Sequence, residues 1–74
     1  MSNPSEPKIW VNEQYDPGGL LYACIASCNE TRARDCHESF LKNLTEEQKS
    51  DGWTACLRTV NSWDEVPASA LKIS

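Results

Sequence analysis

The chain has no long hydrophobic run, no basic excess, no low-complexity tract and a single histidine. Each shortage excludes something. The longest unbroken apolar stretch, Leu20 to Ala26, falls far short of the roughly 18 residues that a membrane-spanning helix needs. The opening MSNPSEPKIW has neither a basic start nor an apolar centre, so it does not read as a secretory leader. A cytoplasmic location is expected on that basis, with secretion remaining open only if a leader has been removed. Eleven acidic residues against seven basic ones give a net charge of −4. Nucleic-acid backbones call for clustered Lys and Arg to displace counterions, so a nucleic-acid partner is not expected. The carboxylates are scattered, which suits a solubilising surface rather than a mimic of nucleic acid.

Catalytic groups are also scarce. His37 follows Cys36 directly, and adjacent helical positions diverge by about 100°, so the two do not make a nucleophile–base pair. Glu46 and Glu47 suit the first turn of a helix, where the dipole favours negative charge. The expectation is a protein that is not an enzyme and holds no cofactor.

What is present is a small domain with four cysteines and three tryptophans in 74 residues. A chain this short buries only about 60% of its unfolded surface, and its core is correspondingly marginal. Residues 1–7, MSNPSEP, read as a flexible tail, and 8–74 as one small helical domain. Lys8 to Asn12 has the β-branched and aromatic residues of a short extended segment. Leu71 to Ile73 could pair with it. Asp16-Pro17-Gly18-Gly19 is a turn, because proline presets one angle and glycine accepts positive φ.

Leu20, Leu21, Cys24, Ile25 and Cys28 recur at helical spacing, and Ala33, Cys36, Phe40, Leu41 and Leu44 do so again. The two sets differ in direction by roughly 130° on one straight helix. A break at Asn29–Arg32, with Asn29 or Thr31 as cap, resolves the phase change better than a single long helix. Thr45-Glu46-Glu47-Gln48 fits a capping box. Trp53, Cys56, Leu57, Val60 and Trp63 then form one helical stripe, interrupted near Gly52 and stopped by Pro67. The predicted fold is mainly α: two or three helices, an antiparallel hairpin turning near Leu44-Thr45, and short extended N- and C-terminal segments.

The cysteines admit three readings. Cys24, Cys28, Cys36 and Cys56 supply enough thiols for a metal, yet Cys36 lies about 12 Å beyond Cys28 on a continuous helix, and the two-residue knuckle of zinc fingers is missing. In an antiparallel hairpin turning near residue 46, Cys36 and Cys56 stand equally far from the corner and could form a disulfide. Four small core residues are the plain reading, since cysteine is often buried. Small helical-hairpin chaperones of the mitochondrial intermembrane space are similar in carrying Cys-x3-Cys. They carry it on both helices, whereas here Val60 stands where the second motif would close. The opening MSNP and the span Cys56-Leu57 to Pro67 resemble MbtH-like proteins, but their Ser-Leu-Trp-Pro is absent. Neither pattern assigns a function.

Tryptophan, tyrosine and arginine are the residues enriched at interface hot spots. Trp10, Tyr15, Arg32 and Arg34 are therefore the expected protein-binding residues. The leading expectation is a non-enzymatic protein–protein interaction module, a small inhibitor or adaptor of a larger protein machine of the kind bacteria and phages use as regulators. The alternatives are a cysteine-based metal or redox protein, or a disulfide-stapled secreted effector. Another protein is the expected partner, with a homodimer as a further option.

Overall fold

A computed structural model describes residues 8–73, so the expected tail at 1–7 lies outside the described residues. Strand β1, Ile9–Tyr15, is followed by β2, Leu21–Ser27, then helix α1, Glu30–Asn43, and the short helix α2, Glu46–Asp51. Strand β3, Thr54–Val60, a 3-10 turn at Trp63–Glu65 and strand β4, Leu71–Ile73, complete the chain. The strands form one sheet in the order β3-β1-β2-β4. The expected mainly-α hairpin is thereby corrected: this is a mixed α/β domain with one long helix.

β1 is antiparallel to both its neighbours, β2 and β3. β2 and β3 therefore run parallel to one another with β1 between them, and α1 is the crossover that joins them. β4 lies parallel to β2, pairing Ile25 with Leu71 and Ser27 with Ile73. The terminal segments Lys8–Asn12 and Leu71–Ile73 are extended as expected, but they do not pair with each other.

Side chains alternate across a strand, so β1 has two distinct sides. Asn12 donates from Nδ2 to the Ala33 carbonyl at 2.9 Å, which places Trp10, Asn12 and Gln14 on the side of α1. There α1 buries Ala33 and Phe40, and Leu44 at its end is buried too. On the opposite side Ile9 and Val11 cluster with Cys24, Ala26, Val60 and Val66. Val66 belongs to the segment 61–70 that carries the chain from β3 to β4. One connection thus crosses each face.

Local signals set the boundaries. Asp16 Oδ1 accepts from the Gly18 and Leu20 amides at 2.9 and 3.0 Å, closing the β1–β2 turn. Gly19 sits there at φ 84°, a conformation that penalises any Cβ. Beside the turn the register slips: Gln14 faces Ala23 but Tyr15 faces Leu21, which leaves Tyr22 as a bulge. Asn29 caps α1, its Oδ1 accepting from the Arg32 amide at 3.1 Å. Thr45 and Gln48 form the capping box in both directions, each bond 3.0 Å. That interaction contributes about 1 kcal/mol. Gly52 at φ 108° ends α2 after six residues. The corner near Leu44-Thr45 exists, but no second long helix follows it.

Two expected helices are strands instead. Leu20–Cys28 carries apolar residues toward both faces of the sheet, most of them buried only from Cys24 onward, and such a run also satisfies helical spacing. In β3 the real partition is Ala55, Leu57 and Thr59 toward α1, with Thr54, Cys56, Arg58 and Val60 outward. The β-branched Thr54, Thr59 and Val60 suit a pleated surface better than a helix.

Candidate functional site

The segment 61–70 adds Val66 and Ala70 to a buried cluster of Ile9, Val11, Cys24, Ala26 and Val60 on the outer sheet face. Toward the β1–β2 turn the same face carries Glu13, Tyr15, Thr54, Cys56 and Arg58. Thr54, Cys56 and Arg58 are exposed and Tyr15 is half-buried. Glu13 is the exception, only 3% exposed. It is flanked directly by Cys24 of β2 and Cys56 of β3 in the ladder.

A carboxylate in that position needs partners, since a buried unpaired charge costs several kcal/mol, of order 3–5 when one partner of a pair is removed. Arg58 supplies them. Its Nε donates to Glu13 Oε1 at 2.7 Å and its Nη2 to Oε2 at 3.3 Å. Arg58 sits opposite Val11, so the guanidinium folds back diagonally across the strand to reach the carboxylate. Cys56 Sγ adds a weak donor at 3.8 Å. These contacts hold Arg58 above its usual range, with the Glu13 hydrogen bond as the main cause. The Cys56 thiol is also pushed up, first by burial of the sulfur and then by the Glu13 charge. The residue as a whole is exposed, but the thiol is turned onto the carboxylate. Burial followed by Glu13 raises Cys24 and Tyr15 in the same direction. All these groups stay in their protonated forms at neutral pH. The thiols here are not activated nucleophiles.

At the same end of the sheet, Leu21 pairs with Tyr15 on this face, so its exposed apolar neighbours turn to the α1 side. Leu20 and Tyr22 are 70% and 69% exposed beside the turn. The Tyr22 ring meets Trp53 edge-on with centroids 4.9 Å apart. No cavity is found among the described residues, so the site is a surface rather than a pocket.

The structure scatters the residues expected to bind a partner. Tyr15 alone lies on the open face. Trp10 is half-buried on the α1 side of the sheet. Arg32 and Arg34 are exposed on α1, and Arg34 is tied to Glu30, with Nε to Oε2 at 2.8 Å. The cysteines are dispersed as well. All four are free, and no group of three potential ligands that includes them occurs among the described residues. Cys36 lies on α1 and Cys56 on the opposite face of the sheet, so no bridge can join them in this fold.

Sequence reasoning missed Glu13 and Arg58. An acidic residue inside IWVNEQY hints at a buried charge, but its partner lies 45 positions away and no local pattern links them. No protein-family model, curated protein or solved structure matches the chain. No helix among the described residues is long and apolar enough to cross a membrane.

Proposed function

We propose that this is a non-enzymatic interaction module that binds another protein through the open half of its outer sheet face. The observation that carries this reading is the incomplete cover: segment 61–70 shields one end of the face and leaves the other to solvent. Tyr15 anchors the open half, the fixed Glu13–Arg58 pair supplies rigid polar groups, and Thr54 is exposed beside them. A rigid aromatic beside a preorganised arginine matches the composition of interface hot spots. The thiols beside them are held protonated, which suits contact rather than catalysis. Within this reading the protein acts as a small inhibitor or adaptor of a larger assembly.

The test is quantitative affinity capture from the source cell with three forms of the chain. Partners retained by the wild type should be lost with Tyr15→Ala combined with Thr54→Glu, and kept with Arg32→Ala combined with Arg34→Ala. Circular dichroism must show all three folded. Retention of every partner by the Tyr15→Ala, Thr54→Glu form would sink the proposal, as would loss confined to the arginine variant.

A further inference from the structure

The free edge of β3 supports a second inference, independent of what the outer face binds. We infer that two copies of this chain pair through β3, antiparallel and centred on Leu57, into one continuous sheet.

β3 is seven residues long and pairs with β1 along its whole length without a slip. On its other side no strand pairs with it among the described residues. Edges of this kind are normally blunted by proline, a bulge, an outward charge or shortness. β4, the opposite edge, has only three residues. TACLRTV has no proline and no bulge, and its single charge is Arg58. That charge is withdrawn from the edge, because the guanidinium folds back over the sheet to Glu13. The chain carries a net charge of −4, which repels a second copy in general. β3 contains no acidic residue, so the strand itself adds nothing to that repulsion.

Symmetry then selects the register. Two identical antiparallel strands in one sheet are related by a two-fold axis normal to it, and cross-strand neighbours must share a face. The axis therefore passes through a residue. On Arg58 it would leave Thr54 and Ala55 beyond the end of the partner strand, and on Cys56 it would leave Thr59 and Val60 there. On Leu57, the midpoint of Thr54–Val60, every residue pairs: Thr54 with Val60, Ala55 with Thr59, Cys56 with Arg58. Each Arg58 then faces Cys56 of the second copy, and next along that row stands the second copy's Glu13. A ladder of about six to eight main-chain hydrogen bonds results. Both α1 helices fall on one side and both open faces on the other, which doubles the binding platform.

Sedimentation velocity of the full chain in reducing buffer, from low micromolar to several hundred micromolar, is the experiment. The expected result is a reversible monomer–dimer equilibrium. Cys56→Lys places an ammonium beside its own Glu13 and sets on the β3 edge a charge of the kind that blunts such edges. It should weaken dimerisation by about tenfold or more with an unchanged circular dichroism spectrum. Leu71→Lys, on the β4 edge, should leave the dimer intact, and so should Tyr15→Ala. A monomer at every concentration overturns the inference. So does a dimer that ignores Cys56→Lys, or one that Leu71→Lys abolishes. Because the capture experiment reads Tyr15 and this one reads Cys56, either proposal can fail alone.

Discussion

Asn12 and Glu13 are neighbours on the central strand, both nearly fully buried at 1% and 3% exposure, and the two faces of the sheet treat them differently. Asn12 points under α1. Its Nδ2 donates to the Ala33 carbonyl, while its Oδ1 has no partner among the described residues. Glu13 points outward, where both carboxylate oxygens are engaged by Arg58. A half-satisfied amide persists under the helix because it is neutral and its penalty is modest. A half-satisfied carboxylate could not. The ion pair is possible on the outer face because the arginine head stays partly in water, its side chain 44% exposed, so only one of the two charges is fully desolvated. The closed face is a packing surface with one polar pin. The open face is built around a charge that the fold must neutralise, and that device also withdraws the only charge from the β3 edge.

The largest way to break this contrast is Arg58→Ala, which strands Glu13. The expected loss is about 3 kcal/mol, at the lower end for a broken buried pair because water can re-enter from the exposed side. For a domain of this size that is most of the stability. Replacing both members, Glu13→Leu with Arg58→Leu, should restore melting to near the wild-type value, since an apolar pair needs no compensation. Chemical denaturation of the three proteins measures it. A double variant no more stable than the single one would show that the pair does more than cancel its own burial cost.

On the closed face the effects should be smaller. Asn12→Ala should cost about 1–2 kcal/mol through the lost hydrogen bond and contacts. Asn12→Leu, which removes the unpaired oxygen and keeps the volume, should recover most of that. Thermal melts would settle it, and a Leu variant worse than the Ala variant would mean that the amide is required to seat α1.

The smallest expected effect is a pH dependence shared by both faces. Burial raises Cys24 and Cys56 on the outer side and Cys36 on α1 above the ordinary thiol value of 9.0. A group whose folded pKa is raised stabilises the fold fully below its unfolded pKa. That contribution is lost as pH climbs through the folded value, because the unfolded chain ionises first. Denaturation midpoints should therefore be flat in this respect up to about pH 8.5 and fall above it. A triple serine variant at Cys24, Cys36 and Cys56 should lose that part of the slope. Equal slopes in wild type and variant would rule the thiols out as its source.

How legible each part was depends on the range of the forces behind it. Asn29, the Thr45–Gln48 box and the Asp16–Gly19 turn act within about four residues, and each does in the fold what its chemistry suggests. The break at Asn29–Arg32 was readable for the same reason, although what precedes it is a strand rather than a helix. β2 was misread because it carries apolar residues toward both faces and so lacks the two-residue alternation that identifies strands. β3 was misread because Trp53, Leu57 and Val60 happen to fit a helical stripe, and the threonines between them were outweighed. Of the residues expected to bind a partner, only Tyr15 reaches the open face; Trp10 was separated from it by the alternation of a single strand.

The sequence by itself determined the caps, the turns, the phase break and the acidic, solvent-compatible surface, all of which follow from neighbouring residues or from composition. Tertiary structure decided that β1 lies between β2 and β3, that Glu13 meets Arg58, that the cysteines are dispersed and that β3 is an edge strand among the described residues. Those outcomes depend on contacts between segments far apart in the chain, whose energies exist only once the sheet has formed.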